Sequence, residues 1–376
     1  MNPLGLYIHF PWCVKKCPYC DFNSFHQPTA LPKAEYIACL IRDFEQDWQK
    51  VSERTITSIF MGGGTPSLFH AEDLAPLFAK ILPHCQPNLE ITLEANPGTI
   101  EHGQFKEYRD LGINRISLGV QSFQSAHLKA LGRIHSADEV AKAVAEIKAA
   151  GFSNFNLDLM HGLPKQTLDE ALDDLHQAIA LQPTHLSWYQ LTIEPNTYFA
   201  HYPPTLPHDD ALAEIEEQGF ALLTAAGFER YEISAFARNN RQSQHNLNYW
   251  TFGDYLGIGA GAHGKITVEA PNHIVRTIKP KLPKSYLQRQ SCTQMLLPES
   301  ALPFEWMMNV LRLKQGVSAH LFSERTGLPL SVIQSKLNRA VQAQLLEADP
   351  EKIQASDLGY RFLNDLLTHF MDQDPI

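Results

Sequence analysis

Short apolar runs punctuate the first two-thirds of the chain: Leu6–Phe10, Ser58–Met61, Leu89–Ala95, Arg115–Gln121, Asn154–Met160 and His185–Leu191. Each is too short for an ordinary helix and is bounded by turn-forming residues, which predicts β-strands. Between them the apolar positions recur at helical spacing, which predicts amphipathic helices. Two helices carry start signals. Ser136 with Glu139, and Thr167 with Glu170, match the capping box, in which hydroxyl and carboxylate satisfy the first free amides. Gly151 stops the first of these helices. Alternating strands and helices predict an α/β protein with a parallel sheet, as a barrel or a doubly wound layer.

The strand faces favour a barrel with an occupied interior. Glu90, Thr92, Glu94 and Asn96 share one face of the third run, opposite Ile91, Leu93 and Ala95. Ser117, Gly119 and Gln121 oppose Ile116, Leu118 and Val120, and Asn156 with Asp158 oppose Phe155, Leu157 and Leu159. Parallel strands covered by helices are usually apolar on both faces. A polar inner face therefore implies water or a ligand inside. The unusual residues stand at strand ends, where barrel sites form. Cysteines follow the first run, Gly62, Gly63, Gly64, Thr65 and Pro66 the second, and Asn96, Pro97 and Gly98 the third. Gln121, Ser122 and Phe123 end the fourth, and His161 to Pro164 the fifth.

Downstream, Pro203, Pro204 and Pro207 mark a loop. A helix is expected from about Asp209 to Ala226, stopped by Gly227, then a short strand around Tyr231–Phe236. The polar stretch Ala237–Asn248 breaks the rhythm. A glycine-rich run, Gly257–Gly264, and an irregular proline-containing segment follow. Helical periodicity returns at Trp306–Leu313, Ala319–Arg325, Ser331–Ala343 and Leu358–Phe370. The expected organisation is a partial barrel over 1–240, a connecting segment over 241–300, and a small helical, winged-helix-like domain over 301–376.

Charge and composition narrow the partners. The net charge is −10 over 376 residues, with no long basic run or basic recognition helix, which argues against nucleic acid. No apolar stretch has transmembrane length and no signal sequence is evident, so a soluble, cytoplasmic protein is expected. Six cysteines, three of them clustered, suit a reducing compartment. Cys39, Cys85 and Cys292 are scattered and read as small core or surface residues.

The clustered thiols carry the chemistry. Cys13, Cys17 and Cys20 stand in a C-x3-C-x2-C pattern directly after the first strand. Structural zinc and ordinary iron–sulfur sites take four protein ligands, whereas reactive metal sites keep a position open. A [4Fe–4S] cluster with one iron left for a substrate fits three thiols best. A zinc site completed by His9 or His26, or three unrelated thiols, are the alternatives. Gly62–Gly64 lack Cβ atoms and would let the backbone approach a ligand.

The cysteine pattern resembles that of the radical S-adenosylmethionine (SAM) superfamily. Together with Gly62–Pro66, Leu118–Phe123, Leu131–Arg133 and Asp158–Pro164, it is similar to the oxygen-independent coproporphyrinogen III oxidase group. The resemblance implies a partial (β/α)6 barrel, with the three thiolates holding three irons and the fourth iron chelating SAM. One electron would then cleave the sulfonium. Tyr7, Gly62, Gly63, Gly64, Thr65, Glu94, Gln121, Arg133 and Asp158 would hold SAM by the same resemblance, Glu94 and Arg133 at the methionine end, Gln121 and Asp158 at the ribose.

Two departures from the oxidase pattern weigh against decarboxylation of coproporphyrinogen. Phe22 stands where the oxidases carry a further cysteine, and Tyr7 lies almost at the start of the chain rather than after an extension. Phe22 looks instead like the haem-chaperone branch of the group. His245-Asn-Leu-Asn-Tyr249-Trp250 is similar to that branch's H-N-x-x-Y-W signature, which implies a haem site with Tyr249 and Trp250 along the porphyrin. The resemblance places His245 at the haem site but leaves the axial iron ligand open among His245, His263, His135 and a cysteine. The resemblance implies delivery of haem to acceptor haemoproteins, membrane-bound respiratory enzymes among them, through peripheral membrane contact. The oxidase reaction is the alternative.

Overall fold

The polar-inside, apolar-outside strands do assemble into one sheet. In the computed structural model, which describes residues 2–99, 103–268, 273–288 and 291–371, strands β1 (Leu4–Phe10), β2 (Ile56–Gly63), β3 (Cys85–Ala95), β4 (Arg115–Gln121), β5 (Phe155–His161) and β6 (His185–Gln190) stand in chain order. All are parallel, with Tyr7 beside Phe60, Glu94 beside Ser117, and Asp158 beside Ser187. Beyond β6 the short strands β7 (Glu229–Arg230) and β8 (Ala235–Ala237) turn the edge antiparallel.

Helices cover the outer face with their apolar stripes. The helix Ala137–Ala149 buries Val140, Ala143, Val144 and Ile147, and Leu168–Ala180 buries Ala171, Leu175 and Ala178. Both start at the expected capping boxes. Glu139 and Glu170 carboxylates accept from the Ser136 and Thr167 amides at 2.7 and 2.8 Å. The first helix stops at Gly151, whose positive φ (86°) suits glycine.

The segment after residue 250 departs from expectation. It is not irregular. Strand β9 (Asp254–Ile258) pairs in parallel with the free edge of β1, and β10 (His263–Thr267), β11 (Ile274–Ile278) and β12 (Thr293–Leu296) continue the sheet antiparallel. Among the described residues the sheet has twelve strands. The signal was present in the β-branched residues of Ile274–Ile278, while Pro280 and Pro283 fall after that strand, where no ladder amide is needed.

The C-terminal helices lie near their expected places: Leu302–Val310, His320–Thr326 and Ser331–Gln342. The last periodic stretch is split at Phe362 into Asp357–Arg361 and Leu363–Thr368. Val317–Ser318 and Lys352–Ile353 add a small antiparallel ladder. Trp306, Met307, Phe322, Ile333 and Leu366 form a second core, which also takes in Phe252 and Ile274 from the sheet extension. The two parts therefore share apolar packing.

Helix–sheet packing is tightest at Gly219, in the helix Asp209–Ala225. A Cβ there would lie 2.0 Å from the buried Trp188 ring. Alanine gains about 1 kcal/mol in helix propensity over glycine, but overpacking a rigid ring costs roughly 1–3 kcal/mol. Gly219→Ala is therefore expected to lower stability by up to about 2 kcal/mol in urea denaturation. A stabilised variant would show that this helix shifts freely.

Candidate functional site

Strand β1 ends in the cysteine loop, and short-range bonds fix the loop's shape. Trp12–Cys13 pairs with Phe25–His26, so the chain leaves and returns side by side. Lys16 donates to the carbonyls of Phe22 (3.2 Å) and Ser24 (3.0 Å), and the Cys20 amide donates to Cys17. None of the six cysteines forms a disulfide. Among the described residues no three His, Cys, Asp or Glu side chains converge to the spacing of a single metal ion. A polynuclear cluster does not need that convergence, because each thiolate takes a separate iron.

The three thiols line one wall of a cavity of about 500 Å³ at the C-terminal ends of the strands. The opposite wall is the polar strand face: Glu94, Ser117, Gln121, Asp158 and Tyr189. Asp158 accepts from Ser117 (3.1 Å) and Asn156 (2.7 Å), and Tyr189 donates to Gln121 (2.9 Å). Arg133 donates to the Gly119 carbonyl (2.6 Å) and to Asn96, and its guanidinium lies 3.7 Å from the Cys17 sulfur. Asn96 in turn donates to Thr65 at 3.0 Å. Deeper in the barrel the polar face closes on itself. Asn156 donates to Ser117, and His185 bonds Asn156 and Tyr231. The interior is thus a ligand space above and a hydrogen-bonded plug below.

A second cavity, of about 820 Å³, adjoins the first and shares Cys20, Phe22, Ser24, Gly63 and Glu94 with it. Its other side is built by the sheet extension and the helix Gln244–Trp250. Tyr249, Trp250, Phe252 and Tyr255 supply aromatic surface, and Arg276, Lys281 and His263 supply cationic or basic groups. Trp250 is held from behind by the Arg312 guanidinium, 4.3 Å from its ring. Phe22 is 59% exposed between the two spaces.

Burial sets the electrostatics. Glu94 is raised to about 8, by desolvation first and then by the Asp158 charge. Asp158 is raised mainly by burial against its hydrogen bonds. Cys13 is pushed up to about 11 by burial and by the neighbouring Cys20 and Cys17 thiols. His245 falls to about 3, from burial and the Arg115 charge.

Not every expected residue reaches its expected place. Gly63, Gly64, Thr65, Glu94, Gln121, Arg133 and Asp158 line the smaller cavity with the cysteines. Tyr7 lines the larger one instead, with its hydroxyl on His9 at 2.9 Å. Gly62 is buried and lines neither. The glycines serve packing as much as ligand approach: a Cβ on Gly63 would sit 2.4 Å from the His9 ring, and one on Gly64 2.4 Å from the Trp12 carbonyl.

His245 does not reach the cavity wall. It is 1% exposed, with Nδ1 bonded to Ser58 (2.9 Å) and Nε2 to the Tyr249 hydroxyl (2.8 Å). Its helix turns it inward against β2, stacked on Phe60. His135 bonds the Val120 carbonyl behind the cysteine loop, also away from the larger cavity. Ser187 and Tyr189 were missed. The alternation of His185, Ser187 and Tyr189 along β6 repeats the polar face of its neighbours and would have found them.

Comparison with known proteins settles the lineage. Residues 7–178 match the model of the radical SAM superfamily, and residues 297–362 match that of the HemN C-terminal domain. The heme chaperone HemW of Haemophilus influenzae is 51% identical over 381 residues, covering 100% of this chain and 99% of that protein. The chain belongs to the HemW family. The family's Escherichia coli member is 48% identical over 99% of both chains, and that of Bacillus subtilis 31% over 98% and 99%. Coproporphyrinogen III oxidase (HemN) from Escherichia coli superposes with a TM-score of 0.82 at 21% identity, covering 98% of this chain and 90% of that one, which shows a shared fold. Membership of the radical SAM superfamily implies a [4Fe–4S] cluster and SAM.

The raised Glu94 gives the ligand-free protein a defined pH response. Unfolded, the carboxyl ionises near its ordinary value; folded, it keeps its proton up to about 8. Between these values the folded state binds the extra proton, so stability falls as pH rises, by up to about 1.4 kcal/mol per pH unit. Glu94→Gln is expected to flatten that slope in urea denaturation from pH 5 to 8. Equal slopes in both proteins would contradict the assignment.

Proposed function

We propose that the protein binds haem in the larger cavity and passes it to acceptor haemoproteins, while the smaller cavity holds a [4Fe–4S] cluster and SAM. The observation that carries this reading is the pair of adjoining cavities that share a wall and present different side chains. The smaller gathers three free thiols and the Glu94 and Asp158 carboxyls. The larger combines aromatic faces with cations, which suits a flat apolar ring bearing two carboxylates. The relatives named heme chaperone span the whole chain and favour the same reading.

The donor sets fit these groups. Cys13, Cys17 and Cys20 would hold three irons, and bound iron would offset the burial, and after it the repulsion between neighbouring thiolates, that raises Cys13. The cluster, when bound, supplies an electron to the SAM sulfonium. Everything else falls to the chain. Arg133 sits beside Cys17 and stabilises negative charge at the thiols. Glu94, at the junction of the cavities, would take the methionine amine. Asp158 and Gln121, fixed by Ser117, Asn156 and Tyr189, would accept from ribose hydroxyls. Phe22 shields the boundary between the two spaces.

No described helix is long and apolar enough to cross a membrane. The reading places haem transfer in the cytoplasm, which the free clustered thiols suit, with respiratory enzymes reached at the membrane periphery as acceptors.

The test is haem titration of the full chain, reconstituted with its cluster, followed in the Soret band. Saturable one-to-one binding is expected. Trp250→Ala is expected to weaken it roughly five- to tenfold, in line with the ~1 kcal/mol of an aromatic contact. No saturable binding by the wild type, together with decarboxylation of coproporphyrinogen, would replace this reading with the oxidase reaction.

A further inference from the structure

Three histidines stand at or beside the larger cavity, and their hydrogen bonds separate them. His9 shares Nδ1 with the Tyr7 hydroxyl and Nε2 with the Asn23 carbonyl, each at 2.9 Å. His245 has both nitrogens engaged and lies behind the wall. His263 differs. It opens β10, is exposed on the cavity wall, and neither ring nitrogen has a hydrogen-bond partner among the described residues. An iron ligand must offer an unshared imidazole nitrogen.

The cations sort in the same way. Lys265 is bound to Asp254 (3.1 Å) and the Phe252 carbonyl, and Arg276 is paired with Glu305. Lys16 is committed to the Phe22 and Ser24 carbonyls. Lys281 is exposed on the wall, and its ammonium has no partner among the described residues.

We propose that His263 is the axial ligand of haem iron in the larger cavity and that Lys281 receives a propionate, while His245 is a positioning residue that acts through Tyr249. This assignment rests on the reading that the larger cavity holds haem. Partial desolvation at the cavity wall lowers the proton affinity of His263, and Lys281 and Arg276 lower it further, which favours the neutral form that ligates. His245 fixes the Tyr249 hydroxyl, and Tyr249 meets Tyr255 edge-on at 4.5 Å, which sets the aromatic wall. The motif histidine thus shapes the pocket, and a histidine outside the motif reaches the metal.

The experiment titrates hemin into the full-length wild type, His263→Ala, His263→Met, His245→Gln and Lys281→Ala, with Soret spectra and electron paramagnetic resonance of the ferric complexes. Circular dichroism checks folding. His263→Ala is expected to bind about tenfold or more weakly with a shifted Soret band, and added imidazole to restore the wild-type band. His263→Met is expected to fold and to show the altered spectrum of a thioether ligand. His245→Gln is expected to keep the wild-type ligand field while binding a few-fold more weakly. Lys281→Ala is expected to lose affinity for hemin but not for its dimethyl ester, which has no carboxylates.

Unchanged spectra in both His263 variants, or loss of the wild-type ligand field in His245→Gln alone, would overturn the assignment while leaving haem binding intact. Failure of the wild type to bind hemin would overturn the haem reading itself. Equal losses of hemin and dimethyl ester by Lys281→Ala would remove the propionate contact.

Discussion

The structure depends on β1 being paired on both edges. A strand with an open edge leaves a row of unsatisfied amides and carbonyls, and this one is in the middle of the sheet. β2 takes one edge, and β9, from nearly 250 residues downstream, takes the other. That second pairing brings the Gly257–Gly264 run and the helix Gln244–Trp250 alongside the cysteine loop. Asn23 clamps the glycine-rich run there, donating to the Ala260 carbonyl and to that of Lys281 at 2.9 Å each. A side chain on Gly261 would collide with Asn23, at 2.1 Å. The two cavities are neighbours because the cysteine loop, Gly63 and Glu94 line both.

Their shared wall gives the site its electrostatic character. Glu94 faces both spaces, is half-buried, and keeps its proton more readily than an ordinary carboxyl. A cationic group entering either cavity would draw that proton off, so the two spaces are linked by charge as well as by contact. A carboxyl drawn out of water at the mouth of a barrel is costly to fold around, and Asp158 persists here because Ser117 on the adjacent strand and Asn156 on its own both donate to it.

The aromatic signature Tyr249–Trp250 and its histidine point in different directions for a geometric reason. On a helix of seven residues, positions 245 and 249 share a face, while 250 is turned by roughly a quarter to a third of a turn. His245 and Tyr249 can therefore bond to each other, with the histidine at the buried end and the tyrosine at the cavity. Trp250, offset, presents its ring to the cavity on one side and to Arg312 on the other. A linear motif does not reveal which of its members reaches the ligand.

What the sequence determined by itself was the repeating local pattern. The period of two on β3, β4 and β5 and the capping boxes at Ser136 and Thr167 needed only neighbouring residues, so strands, helices and the polar mouth with its cysteines were legible before folding. The tertiary structure alone decided what depends on distant pairing. It placed β9 against β1, turned a segment read as irregular into sheet, moved Tyr7 to the larger cavity, and buried His245. The physical reason is the same in each case. Which face of a residue is satisfied by water and which by protein is fixed by elements hundreds of positions apart, and no local period carries that information.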